Sequence, residues 1–238
     1  MKKLFVLIAA ACMTCTAAFA QTVKPFKEGE RAVFLGNSIT DGGHYHSYIW
    51  LYYMTRFPDM PIRVFNGGIG GDTAYDMNKR LDGDIFAMKP SVLMVTFGMN
   101  DSGYFEYNGD KPKEFGEQKY QESIKNYQQM EKRFKDLPDT RIVMVGTSPY
   151  DETVQLKENT PFKTKNETIK RLVEYQKESA AKNNWEFTDL NAPMTAINQQ
   201  YQQKDPTFTL CGSDRIHPDN DGHMVICLLY TSDAADDK

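Results

Sequence analysis

Five short runs dense in aliphatic, β-branched or aromatic residues recur along the chain, at 32–35, 62–65, 92–97, 142–145 and 185–188. Each has the length and composition of a strand. The third and fourth are almost wholly apolar, the pattern of strands covered on both faces. Between the runs the spacing changes to three and four, which predicts helices over 47–56, 74–86, 116–135, 165–183 and 192–203. In the longest of these, Tyr120, Ile124, Tyr127, Met130 and Phe134 form one apolar face, and the other positions are mostly Lys, Glu, Asn and Gln. A further amphipathic helix begins at 219–226. Strand followed by helix, repeated five times, predicts an α/β domain: a five-stranded parallel sheet with right-handed crossovers and helices on both faces. In such a sheet a binding site lies beyond the carboxyl ends of the strands. The polar stretch 104–115, which contains Gly and Pro, is expected to be a loop beside that cleft.

The residues after each strand therefore carry the chemistry. The first strand runs into Gly36, Asn37, Ser38, Ile39 and Thr40. A serine placed between a small residue and a new helix is how a nucleophile is exposed at a strand end. Asn37 and Ser38 are equally good helix caps. The second strand ends in Asn66, Gly67, Gly68, Ile69, Gly70, Gly71, Asp72 and Thr73, a run that permits positive φ and close approach to backbone N–H groups. It also reads as an ordinary glycine-rich turn capped by Asp72 or Thr73, and it lacks the spacing of a dinucleotide fingerprint. The third strand ends in Gly98, Met99, Asn100 and Asp101, either a turn or an amide aimed into the cleft. Near the other end of the chain stand Asp214 and His217, three residues apart, so that the carboxylate can hold Nδ1 of the ring and leave Nε2 free as a base.

Serine, glycine, asparagine and histidine in that chain order closely resemble the SGNH (GDSL) hydrolase family, over about 31–225. The resemblance implies a flavodoxin-like SGNH hydrolase fold and an acyl-enzyme esterase mechanism. On it, Ser38 is the nucleophile, and Asp214 and His217 are the acid and base of the triad. Ser38, Gly71 and Asn100 supply the oxyanion donors. No metal or organic cofactor is implied. One departure is Asn37, where the family usually has Asp; that residue is not the triad acid, and Asn can make similar local caps. His44 and His46 alternate after the serine, but two imidazoles without a carboxylate or thiolate are a weak metal signal. A substrate contact or a structural role is expected for them, and a helix-surface or packing role for His223. Tyr45, Tyr48, Trp50, Tyr52 and Tyr53 are read as core rather than as a sugar platform, and Asp189 as a helix cap.

The chain ends change the picture of where the protein works. Lys2 and Lys3, the apolar run from Leu4 to Ala11 and the small residues Ala18 and Ala20 predict a signal peptide over 1–20, cleaved before Gln21. The run is shorter than the roughly 20 residues of a bilayer span. No leucine stands three residues before Cys12 or Cys15, which argues against a lipid anchor. An exported protein, periplasmic or secreted and without membrane insertion after cleavage, is expected. The net charge is −4, or −6 once Lys2 and Lys3 are removed, with no basic stripe, so nucleic acid is not an expected partner. Cys211 and Cys227 do not make a disulfide framework. The stretch 227–236 resembles a translated sequencing adapter, which points to a hydrolase domain over 21–226, incomplete at its end, followed by a non-native tail; on that reading Cys211 is unpaired. The expected substrate is a small-molecule or polysaccharide ester, foremost O-acetyl groups on carbohydrate. Lipase, lysophospholipase or thioesterase activity and a silent carbohydrate-binding module are the competing readings.

Overall fold

The computed structural model describes residues 23–236, and side chains as far as Thr231. The expected signal peptide lies outside the described residues. Strands β1 (Arg31–Gly36), β2 (Arg63–Gly68), β3 (Val92–Val95), β4 (Arg141–Gly146) and β5 (Glu186–Asp189) form one sheet in the order β2-β1-β3-β4-β5, and every pairing is parallel. Helices α1 (Ser38–Asp41), α2 (His44–Arg56), α3 (Ala74–Arg80), α4 (Pro112–Lys135), α5 (Lys165–Asn183), α6 (Asn191–Gln202) and α7 (Asn220–Asp236) connect and cover it. The five-stranded α/β architecture read from the hydrophobic pattern is the one observed.

Alternation along the strands builds two cores. Ala32, Phe34, Val92, Met94, Val143 and Val145 face one side, where Ile49 and Tyr53 of α2, Met194 of α6 and Ile226 of α7 cover them. Val33, Leu35, Leu93, Val95, Ile142 and Met144 face the other, beneath Ala74 and Met77 of α3 and Tyr127, Met130 and Phe134 of α4. Every residue of β3 is buried, as its apolar sequence requires. No helix among the described residues is long and apolar enough to cross a membrane.

Among the boundaries that differ from the sequence pattern, four have a clear local reason. The ladder of β3 ends at Val95 because the chain turns through Gly98 at φ +122°. The expected helix over 74–86 stops at Arg80 and continues as a wide turn over 81–85 and a tight one over 86–88. Helix α2 starts at His44, three residues early, behind Gly43 at φ +83°. Helix α4 starts at Pro112, since a proline in the first turn has no N–H to leave unpaired. Gly116 lies inside α4 and does not break it: a Cβ there would stand 2.6 Å from Thr168 Oγ1, so glycine lets α4 and α5 approach. Helix α7 opens on Asp219, whose carboxylate accepts the Gly222 N–H at 3.1 Å, and it runs to Asp236 with Cys227 and Tyr230 buried in the core.

Candidate active site

Strand β1 delivers Ser38 to the carboxyl edge of the sheet. Asn37 is the N-cap of α1, and its Oδ1 accepts the Ile39 N–H at 3.1 Å. The carbonyl does the capping that an Asp would do, while the amide nitrogen of Asn37 is buried without a partner. Two glycines hold α1 tight against the strands. A Cβ on Gly36 would stand 2.0 Å from Thr40 Oγ1, and one on Gly68 would stand 2.2 Å from the Asp41 backbone nitrogen. Larger residues at either place would lift Ser38 from its seat.

The loop before α7 brings the acid and base to the serine from 179 positions away in sequence. His217 Nε2 lies 2.7 Å from Ser38 Oγ, and His217 Nδ1 lies 2.5 Å from Asp214 Oδ2. The other carboxylate oxygen, Oδ1, accepts the backbone N–H groups of Ile216 and His217, each at 2.9 Å. An ionised Asp214 therefore places the ring proton on Nδ1 and leaves Nε2 to accept from the serine. The Asp214 contact raises the His217 pKa above its usual 6.5, against a smaller opposing effect of burial. Burial pushes Asp214 up, but the His217 ring and the two N–H groups hold it below the usual carboxylate range.

Arg215, between acid and base, adopts φ +70°. Its side chain is buried and donates to the carbonyls of Asp151, Val154 and Asn159 at 2.5–3.2 Å. Those bonds anchor the turn that carries the pair.

The second and third strand ends meet beside Ser38. A Cβ on Gly70 would lie 4.0 Å from Ser38 Cβ, and the Gly70 N–H donates to Asp41 Oδ2 at 3.2 Å. Gly71 follows at φ +85°, a conformation that glycine adopts without strain. Asn100 Nδ2 donates to the Asp72 carbonyl at 2.9 Å, so the third loop is tied to the second. Its Oδ1 accepts a bond from the Tyr104 hydroxyl, which fixes which end of the amide is nitrogen. Of the five residues singled out in the sequence, Ser38 thus opens α1, and Gly71, Asn100, Asp214 and His217 lie on loops beyond the strands.

Several supporting residues were not legible beforehand. The Asp101 carboxylate is buried and accepts the N–H groups of Ala74 and Gly98, each at 2.9 Å, and the Ser123 hydroxyl at 3.0 Å. Burial raises its pKa against those bonds. Arg80 donates to Asp72 and Asp84 at 2.6 Å each and to the Gly67 carbonyl at 2.7 Å. Thr73, not Asp72, caps α3, in a reciprocal box with Asp76.

The remaining candidates resolve into packing. His46 is buried with Nε2 3.2 Å from the Thr40 carbonyl, and exposed His44 stacks on buried His223 at 4.9 Å. Burial holds His223 down at about 4. Tyr45 and Tyr53 are core, whereas Trp50 is 42% exposed. Asp189 caps α6, accepting the Asn191 and Ala192 N–H groups at 2.7 and 3.3 Å. The 104–115 stretch does border the site, through Tyr104.

A family model described as the GDSL-like lipase/acylhydrolase family matches residues 34–225. The chain belongs to that family. It is 26% identical over 218 residues to an acetylxylan esterase of Geobacillus stearothermophilus, covering 85% of this chain and 92% of that protein. Among solved structures it is similar to BT4096, a gut microbial diltiazem-metabolizing enzyme, with 82% identity, a TM-score of 0.88 and coverage of 89% of this chain. The match takes in 48% of the BT4096 chain, so this protein spans about half the length of that relative. It also shares the fold of Axe2, an acetylxylan esterase from Geobacillus stearothermophilus, at a TM-score of 0.67 and 23% identity over 87% of this chain and 94% of that one.

Proposed function

We propose that this chain is an exported serine esterase that removes O-acetyl groups from carbohydrate through a Ser38–His217–Asp214 acyl-enzyme mechanism. The observation that carries the reading is the unbroken relay of hydrogen bonds from Ser38 Oγ through His217 to Asp214 at the carboxyl edge of the sheet. A neutral hydroxyl is a poor nucleophile, and a base in hydrogen-bond reach removes its proton as it attacks. Ser38 Oγ bonds to the ester carbonyl carbon while its proton passes to His217 Nε2. The carbonyl oxygen becomes an oxyanion facing the Ser38 and Gly71 N–H groups and the Asn100 amide. Collapse breaks the bond to the leaving alcohol, which takes the proton from His217. Water, deprotonated by the same imidazole, then releases the acid and restores Ser38. Asp214 stabilises the imidazolium between these steps.

Acetyl is the favoured acyl group because the acetylxylan esterase of Geobacillus stearothermophilus aligns along most of the chain. Structures of Axe2 described as catalytic mutants replace a serine, an aspartate and a histidine, the last two three positions apart, the spacing of Asp214 and His217. The test is hydrolysis of p-nitrophenyl esters from acetyl to decanoyl, run beside Ser38→Ala. Fastest turnover of the acetyl ester with an inert Ser38→Ala supports the reading, and acetylated xylo-oligosaccharides become the next substrates. Preference for long acyl chains moves it to a lipase or thioesterase, and activity that survives Ser38→Ala removes the serine mechanism.

A further inference from the structure

Lys165, the first residue of α5, is fully buried. Its Nζ donates to the Met99 carbonyl at 2.8 Å and to Ser102 Oγ and the Gly103 carbonyl at 2.5 Å each. Among the described residues it forms no ion pair. The same ammonium stands 4.0 Å from the centre of the Tyr104 ring. The Tyr104 hydroxyl donates to Asn100 Oδ1. One buried cation thus grips both sides of the turn that carries Asn100, and it supports the ring that fixes the orientation of the Asn100 amide.

The arrangement is unfavourable for folding on several counts. A cation in the first turn opposes the helix dipole. Burial drives the Lys165 ammonium down to about 7, although Asp101 and Glu152 act in the other direction; the other groups facing it are the rings of Tyr104 and Tyr150. The preceding Thr164 is β-branched at φ +70°, and its Oγ1 is buried without a partner. Glu152 does not pair with the lysine; its two oxygens take the N–H groups of Thr164 and Asn166 at 2.9 and 2.6 Å. Strained backbone and a buried amine with no carboxylate bonded to it persist where surrounding structure holds them. What they hold here is the geometry of one loop, the 99–103 turn.

We propose that Lys165 is a positioning residue that sets the Asn100 amide as an oxyanion donor, acting through the 99–103 turn and the ring and hydroxyl of Tyr104. The proposal rests on the esterase reading above. Without the Tyr104 hydroxyl, Asn100 Oδ1 loses the partner that keeps Nδ2 on its present side. Without the ammonium, two carbonyls and a hydroxyl of the turn lose their buried donor, and the ring loses its support.

The test compares Lys165→Met and Tyr104→Phe, each alone and combined with Asn100→Ala, on p-nitrophenyl acetate. Loss of an oxyanion donor costs about 10²–10³ in turnover, so a misdirected donor is expected to cost about tenfold in kcat with KM nearly unchanged. In the Asn100→Ala background the same substitutions should change kcat by less than about twofold, because the group they act through is gone. Equal losses with and without Asn100, or a rise in KM at constant kcat, would overturn the proposal. Should Lys165→Met fail to fold, Tyr104→Phe, which removes one hydroxyl, carries the test. Crystal structures of the folded variants give a readout independent of activity: the Asn100 side chain is expected to leave its contact with the Asp72 carbonyl. An unmoved amide sinks the positioning role. An inactive wild type with a displaced amide in the variants sinks the esterase reading and leaves the positioning role standing.

Discussion

Asp214 holds His217 at two points: Oδ2 takes Nδ1 of the ring at 2.5 Å, and Oδ1 takes the backbone N–H of the same residue at 2.9 Å. Ring and main chain are therefore oriented by one carboxylate. The catalytically competent form is the neutral imidazole, so activity should rise with pH as His217 loses its proton. Because Asp214 raises that pKa, the midpoint of the acid limb in kcat/KM is expected above 6.5. Asp214→Asn removes the raising contact and leaves the opposing burial, so the midpoint should fall to 6.5 or below. Maximal kcat should fall by about 10³–10⁴, as expected when the ring loses its orienting acid. A pH profile on an acetyl ester checks both. An acid limb that does not move in Asp214→Asn would assign the ionisation to another group.

Arg80 is the clasp between the first two strand ends. Its guanidinium reaches the Gly67 carbonyl at 2.7 Å, the Gly36 carbonyl at 3.3 Å and Asp72 at 2.6 Å, and Asp72 in turn receives the Asn100 amide on its backbone oxygen. Burial raises the Asp72 pKa, and Arg80 opposes that effect. Arg80→Met removes the guanidinium from a largely buried carboxylate and from the Gly67 carbonyl, while the Gly36 carbonyl keeps the Ile69 N–H at 3.2 Å. A loss of about 1–3 kcal/mol in urea unfolding is expected. Turnover should drop by up to about 10², since the 70–73 loop loses its anchor and small displacements at an active site are costly. Arg80→Lys keeps the charge but not the fork, and it should recover stability better than kcat. Unchanged turnover in a folded Arg80→Met would separate this clasp from the site.

Two glycines give a paired test of how α1 is seated. Gly68→Ala places a methyl 2.2 Å from the Asp41 backbone nitrogen, which no rotamer can relieve. Gly83 has nothing within 4 Å of its Cβ position and no positive φ. Gly68→Ala should cost about 1–3 kcal/mol through overpacking and lower kcat by shifting Ser38. Gly83→Ala is expected to be neutral or to stabilise by up to about 1 kcal/mol. Thermal unfolding of the two variants decides; equal stability would contradict the tight seating of α1 on β2.

The sheet was legible because its strands are short apolar runs and its helices carry one clean apolar stripe; Val92 to Val95 and the Tyr127, Met130 and Phe134 face sit where the pattern puts them. The site residues were legible because Ser38, Gly71, Asn100, Asp214 and His217 each stand in a run whose spacing has a chemical meaning. The residues that hold them were not. Arg80 and Lys165 lie in amphipathic helices, where a basic residue normally signals a solvated face. Only the three-dimensional fold brings Lys165 against a turn 63 positions away in sequence. Tyr104 stood in a stretch read as loop, and its proximity to Asn100 in sequence was the one available hint. Helix starts at His44 and Pro112 were missed because glycine and proline, read as breakers, serve here as a cap and a first-turn residue.

Cys211, in the loop before α7, and Cys227, within α7, are free and buried. Cys211 Sγ lies 3.2 Å from the Pro149 carbonyl and 3.7 Å from Asn198 Nδ2. Burial pushes the thiols up, to about 12 for Cys211 and about 11 for Cys227. The thiolate is the reactive form, so at neutral pH neither residue should be oxidised or alkylated while the fold is intact. Ellman's reagent is therefore expected to label these two positions only after denaturant is added, and dithiothreitol should leave the melting temperature unchanged. On the proposed export this matters, because an oxidising compartment would couple two accessible thiols. Rapid labelling of Cys227 in the folded protein would mean that α7 opens beyond Ile226, and with it the cover over the core formed by Phe26, Tyr53 and Tyr230.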